Sequence, residues 1–526
     1  MNIKVYLLLS LCFLAVQKNV SGENILFYMG VSNYSHRISI WPLVEKLAEL
    51  GHNVTFISAH PPKSLANPKV HEFIPKGLRE CYLKFVGTNL IEMRKQFGPA
   101  RSWDGIFEFF AEANRLMVQE EEFREWFRTS SYDFVFIDSL TSDLALGLAY
   151  KFNAPYALIT TTAPYTMWQP DMVGSPAETS WIPDMQLSPP EEMTLWDKIW
   201  NTLNPIIWTL HRHYVFYPKA EKLLREDLGL KDMPDLRELE ASVSLVLANT
   251  HYSDDYARSY PPLVVPVGGM QCFQKLKPAS KEMEAFMNST GPEGFIYVSF
   301  GSAAQITDMP PEQKNIFFTA MRTAKTNFFL KWSDDSPKDL PKNVFTSSWV
   351  PQQTILAHPN ARGFITHGGL LGIQEAMFSG LPMIVAPVFG EQDYNAQKVH
   401  NTGRGIRIEL NTLTQEELDN AISSILTDPS YKENMEEASR LFKDRPENPV
   451  DTAVWWTQYI LRHGPVNALR PLGLKQTWYQ RRLLDVWFTI FTALVFLPLL
   501  VLILFCKLCL KCRSKRGPEN LLKKRN

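Results

Sequence analysis

Two histidines stand where they could do chemistry. His36 lies in "VSNYSHRIS", a few residues past a short apolar run, and Asp138 closes a second run, "YDFVFID". If both runs are strands of one open α/β sheet, the two groups share its carboxyl edge, where ligands of such sheets bind. Together they read as a general base and its orienter. A neutral imidazole takes up a proton near neutral pH, and a carboxylate on its other nitrogen fixes the tautomer and stabilises the imidazolium. A loop histidine can also be merely solvated, and a strand-end aspartate can be a helix cap. Asp133, as a turn residue, and Asp143, as a helix-start carboxylate, compete for the acid's place.

The second histidine, His367 in "GFITHGG", precedes a glycine pair and a helical pattern. It could be a metal ligand, a base or a grip for an anion. Gly368 and Gly369 let the backbone approach a ligand, and the free N–H groups of a helix start attract phosphate, to which a histidine adds one hydrogen bond. A metal needs several convergent ligands, and no second histidine or cysteine follows at ligand spacing. "HRH" at 211–213 fails because residues two apart point to different faces of a helix. The chain also has no D-x-D pair. No metal and no cofactor is expected.

Elements of one kind must position these groups. "NILFYMG", "SIWPLVEKLAELGH" and "NVTFISA" read as strand, helix and strand, the parallel unit of a doubly wound sheet, and "YDFVFID", "LALGLAYKF" and "APYALIT" continue it. The rhythm restarts with "FIYVSFGS", a helix near 311–324, "NFFLKWS", "GFIT", a helix near 370–379 and "MIVAPV". The fold class is therefore α/β with two Rossmann-like domains, and the Pro- and Gly-rich "YPPLVVPVGGMQCFQ" reads as the linker.

At 526 residues, with 54 basic against 55 acidic side chains, the chain has room for two domains and no charge excess that would suggest nucleic acid. Residues 1–22 have the basic start, apolar middle and small-residue end of a secretory signal. Val486 to Cys506 is an apolar stretch of about 30 Å as a helix, enough for one bilayer crossing. The basic tail that follows, 507–526, belongs in the cytosol by the positive-inside bias, and its last residues, KKRN, resemble a dilysine retrieval signal. The expectation is a type I single-pass protein of the endoplasmic reticulum membrane with the rest of the chain lumenal. Its domains are placed at 23–262, 263–455 and a return segment at 456–485.

Cys81 and Cys272 allow one lumenal disulfide at most, and sequons stand at Asn33, Asn53 and Asn288. Cys506, Cys509 and Cys512 straddle the membrane edge, where palmitoylation is a better reading than a metal. Between Thr160 and Pro218, Trp168, Trp181, Trp196, Trp200 and Trp208 could line an acceptor site, rest in the membrane interface or pack as core.

The segment Trp349–Gln392, "WVPQQTILAHPNARGFITHGGLLGIQEAMFSGLPMIVAPVFGEQ", resembles the donor-binding signature of the UDP-glycosyltransferases, the membrane-bound UDP-glucuronosyltransferases and their invertebrate relatives. The similarity continues through "SHRISIWPL", "IYVSFGS" and "TWYQRRLLDV". It implies a GT-B fold, two facing Rossmann-like domains with acceptor on the first and nucleotide sugar on the second. By the same resemblance Trp349 stacks on uracil and Gln352 lies near base and ribose. Glu375 holds the ribose hydroxyls, and His367, Gly368 and Gly369 hold the diphosphate with Ser302 and Arg258. Glu391 and Gln392 meet the transferred sugar, and His36 with Asp138 is the catalytic pair of an inverting displacement. Leu370-Leu371 departs from the Asn common after the glycines in vertebrate members, and Glu391 from the commoner Asp.

The expected partners are UDP-glucose or UDP-glucuronic acid, a small lipophilic acceptor, the membrane, and a further copy or a related chain in an oligomer. The alternative readings are a nucleotide-sugar epimerase and a non-catalytic UDP-sugar-binding subunit.

Overall fold

The computed structural model describes residues 22–62, 66–86, 89–98, 105–140, 143–161, 168–301, 304–332 and 340–514. Nearly all of the signal segment, most of the basic tail with its dilysine pair, and Ser302 lie outside these residues.

Seven parallel strands form the first sheet: β1 (Asn24–Tyr28), β2 (Asn53–Ile57), β3 (Val70–Phe73), β4 (Phe134–Asp138), β5 (Tyr156–Thr160), β6 (Leu245–Ala248) and β7 (Val264–Pro266), in the order β3-β2-β1-β4-β5-β6-β7. The second sheet has six: β8 (Phe295–Ser299), β9 (Asn327–Lys331), β10 (Val344–Ser347), β11 (Ala361–Thr366), β12 (Met383–Val385) and β13 (Gly405–Arg407), in the order β10-β9-β8-β11-β12-β13. Both orders reverse direction beside their first strand, which opens a crevice at the carboxyl ends.

The runs are apolar throughout because both faces are covered. In β1, Leu26 and Tyr28 enter one core while Ile25 and Phe27 enter the other; in β8, Ile296 and Val298 face away from Phe295 and Tyr297 in the same way.

Two expected boundaries move. The segment read as linker contains β7, whose Val264 and Val265 are buried, so the first unit runs past residue 262. Pro266 is tolerated because β7 is the edge strand. The return to the first domain begins at Pro449 rather than after 455: the helix Pro449–His463 places Val450, Ala453, Val454 and Ile460 in the core under β1.

Beyond it, Arg482 Nη2 meets Asp171 Oδ2 at 2.5 Å and Arg481 Nη1 donates to the Asp171 carbonyl at 2.6 Å. These bonds fasten the first domain to the start of the helix Leu484–Ser514, which is long and apolar enough to cross a membrane.

Cys81 and Cys272 are free and buried in separate cores, so neither forms a disulfide.

Candidate active site

Strand β1 ends at Tyr28, and His36 sits in the first turn of the helix Tyr34–Glu49 rather than in a loop, with its backbone N–H donating to the Asn33 carbonyl at 3.0 Å. Strand β4 delivers Asp138 to the same edge. His36 Nδ1 and Asp138 Oδ2 are 2.5 Å apart. The second carboxylate oxygen accepts from the backbone N–H of Leu140 at 3.1 Å. Thr161, the first residue past β5, places Oγ1 2.7 Å from His36 Nδ1 and 3.1 Å from Asp138 Oδ2. Both partners are buried, and Nδ1 is fully engaged, so Nε2 is the ring nitrogen left for a substrate.

The rival acids are committed elsewhere. Asp133 accepts from the backbone N–H of Asn24 at the start of β1, the opposite end of the sheet, and Asp143 pairs with Arg212 at 2.9 Å.

A cavity of about 570 Å³ lies between the two sheets' carboxyl edges, lined by His36 from one domain and by Trp349, Gln352, His367, Gly369, Glu375, Glu391 and Gln392 from the other. Asp138 stands behind His36, and Gly368 lies under the turn, its carbonyl accepting from Asn395 Nδ2 at 2.9 Å.

The glycines around His367 are there because nothing larger fits. A Cβ on Gly301 (φ +82°) would sit 2.6 Å from the ring, and one on Gly369 2.8 Å from Nε2. Burial and the nearby Lys331 ammonium push the His367 imidazole down to about 4, so it is neutral at physiological pH. Lys331, the last residue of β9, donates from Nζ to the Gly301 carbonyl at 2.9 Å and also lines the cavity. A helix start, an imidazole and an ammonium thus line the same cavity.

Half of Trp349 is exposed (51%), leaving a ring face open on the cavity. Glu375 is held by two amides, Gln352 Nε2 at 2.6 Å and Gln353 Nε2 at 2.9 Å, and its burial raises the carboxyl above the usual range. Gln392 Oε1 accepts from the backbone N–H groups of Val388 and Phe389 at 2.8 and 3.0 Å. Glu391 is pushed up to about 7 by burial, against the opposing pull of His36 across the cleft and of the Leu370 backbone N–H.

Arg258 does not join this group. It is buried and paired with Asp255 at 3.2 Å, away from the cavity. Ser302 lies outside the described residues.

The tryptophans split differently from their expectation as one unit. Trp168 is core, packed on Phe107 with the half-buried Trp208, whereas Trp181, Trp196 and Trp200 are exposed. None of the five lines the cavity. Its apolar wall comes instead from Tyr34, Ile38, Phe85, Phe109 and Phe110.

Solved glycosyltransferases share this architecture. The chain resembles the calicheamicin glycosyltransferase CalG4 (TM-score 0.56, 19% identity, covering 84% of this chain and 100% of that one) and the glycosyltransferase VinC in complex with dTDP (TM-score 0.55, 17% identity, covering 84% and 100%). The fold is thus that of a GT-B glycosyltransferase. Residues 29–517 match the family model described as "UDP-glucoronosyl and UDP-glucosyl transferase", and the chain belongs to that family. Among its relatives are UDP-glycosyltransferase UGT5 of Dactylopius coccus, 32% identical over 475 residues (88% of each chain), and UDP-glucuronosyltransferase 1A8 of Rattus norvegicus, 30% identical over 499 residues (93% of this chain, 92% of that one). At the level of the family, the reaction is transfer of a hexose from a UDP-sugar.

Proposed function

We propose that this chain transfers glucose or glucuronic acid from its UDP-sugar to the hydroxyl of a small lipophilic acceptor by a single inverting displacement. The observation that carries the reading is that His36, backed by Asp138 at 2.5 Å, lines the same cavity as the His367 helix start.

His36 Nε2 takes the acceptor O–H proton as the oxygen forms its bond to the anomeric carbon. The bond from that carbon to the β-phosphate oxygen breaks on the opposite face, and UDP leaves with the electron pair. The proton stays on His36, where Asp138 stabilises it. Charge growing on the diphosphate meets the start of the Leu370–Ser379 helix, His367 and Lys331, so the displacement proceeds without a metal. Trp349 stacks on uracil, Glu375 exchanges its amide partners for the ribose hydroxyls, and Glu391 and Gln392 meet the sugar. Tyr34, Phe85, Phe109 and Phe110 suit a flat apolar aglycone such as a phenol.

The protein works with its catalytic domains in the lumen of the endoplasmic reticulum. The exposed Trp196 and Trp200 of the helix Leu195–His211 rest at the membrane interface beside the Asp171 anchor, to which Thr209 of the same helix donates at 3.2 Å.

Mixing the membrane-bound protein with a phenol and each UDP-sugar in turn tests the reading. UDP release should require the phenol, give the anomer opposite to the donor's, and persist in EDTA. Sugar-nucleotide product without any acceptor would instead establish an epimerase.

A further inference from the structure

The helix Leu90–Phe97 belongs to the N-terminal half of the chain but packs on the other domain, with Leu90 and Ile91 in the core of the second sheet. Asn89 Nδ2 donates to the Asp308 carbonyl at 2.8 Å, and Asn411 Nδ2 donates to the Arg94 carbonyl at 3.1 Å. Arg94 itself is 2% exposed. Its guanidinium donates to both oxygens of Asp393 at 2.8 and 2.9 Å, and to both oxygens of Glu409 at 3.0 and 2.6 Å. Arg407 Nη2 donates to Asp393 Oδ1 at 2.9 Å.

Two guanidinium groups and two carboxylates cancel in charge. A cluster of this kind, with Arg94 and Asp393 buried and Arg407 and Glu409 partly exposed, adds little stability over an apolar isostere of the same shape, whereas the rigid fork of an arginine fixes geometry. What it fixes here is specific. Asp393 follows Gln392 and opens the helix Gln392–Asn401 with it. At the other end of the turn, Phe389 meets Phe85 of the first domain with ring centroids 5.9 Å apart, and Phe85 meets Phe109 of the cavity's apolar wall at 5.2 Å. The turn 388–393 is thus gripped at both ends by the domain that does not carry it.

We propose that Arg94 is a positioning residue for sugar transfer: reaching across from the first domain, it holds Asp393 so that Glu391 and Gln392 are aimed at the transferred sugar. The proposal rests on the reading above that Glu391 and Gln392 meet that sugar. Uracil, ribose and diphosphate lie on other elements, so the sugar contacts alone depend on the cross-domain fork.

The test compares Arg94→Met, Arg94→Lys and Gln392→Ala in the full-length, membrane-bound protein, reading Kd for UDP beside KM and kcat for the UDP-sugar. Arg94→Met should leave Kd for UDP within twofold while KM for the UDP-sugar rises about fivefold or more and kcat falls about tenfold or more. Arg94→Lys, which keeps the charge without the double fork, should move both parameters in the same direction by less. Gln392→Ala should reproduce the split and separates the two readings. If Gln392→Ala shows no split, the sugar assignment fails and this proposal with it. If Gln392→Ala shows it and Arg94→Met does not, the positioning role alone is overturned. Equal losses for UDP and UDP-sugar in Arg94→Met would make Arg94 structural and overturn the proposal. Should Arg94→Met fail to fold, Arg94→Lys and Asp393→Asn carry the same comparison, and failure of all three to fold also overturns it.

Discussion

Replacing Asp138 by asparagine keeps the shape of the His36 pocket and removes its charge. In the wild type the carboxylate lies 2.5 Å from His36 Nδ1 and is buried with it. The charge centres of an imidazolium and this carboxylate are about 4 Å apart, which at an effective dielectric constant of about 20 corresponds to about 4 kcal/mol of attraction. That attraction exists only once His36 has taken the acceptor's proton, so it lowers the barrier and leaves substrate binding alone. At about 1.4 kcal/mol per decade, Asp138→Asn should lower kcat about a thousandfold. Thr161 can still orient Nδ1, which bounds the loss from above. The assay is continuous UDP release at saturating UDP-sugar and phenol, with Kd for UDP as the control, since no UDP contact passes through Asp138. A loss smaller than tenfold with Kd for UDP unchanged would refute the role given to the carboxylate.

Two further outcomes follow from individual side chains. Glu391, titrating at about 7, is mostly neutral below that pH and anionic above it, so a glucuronate carboxylate beside it is increasingly repelled. The ratio of kcat/KM for UDP-glucuronic acid to that for UDP-glucose should therefore fall, by roughly tenfold, between about pH 6 and about pH 8. A Glu391→Gln variant should show a flat ratio. Asn288 is exposed on the helix Lys281–Ser289, so a lumenal protein should carry an endoglycosidase H-sensitive glycan there. The gel shift should vanish in Asn288→Gln, and its absence from the wild type would contradict the lumenal placement.

Legibility in the sequence tracked the kind of residue. His36 and Asp138 could be paired from afar because apolar runs buried on both faces announce parallel strands, and polar groups at their carboxyl ends fall on one rim. Thr161 and Lys331 obey the same rule, as the first residue past β5 and the last of β9, and reading every strand end would have found them.

The apolar wall was hidden for a different reason. Phe85, Phe109 and Phe110 lie on amphipathic helices, and an apolar face turned toward a ligand has the same spacing as one turned toward a core. The helix Pro449–His463 advertises a buried face without saying which domain covers it. Arg94 gave no signal, because its partners Asp393 and Glu409 lie some three hundred residues on, in the other half of the chain. The tryptophans between Thr160 and Pro218 drew attention by composition, and composition does not distinguish core from surface.

The catalytic assignment turns on one residue, and the direct measurement is kcat for His36→Ala beside its Kd for UDP. Removing a general base costs about a hundredfold to ten-thousandfold. The account predicts a loss in that range with UDP affinity unchanged, because the nucleotide contacts proposed above come from the second domain and His36 from the first. A folded His36→Ala protein that transfers sugar at the wild-type rate would contradict it.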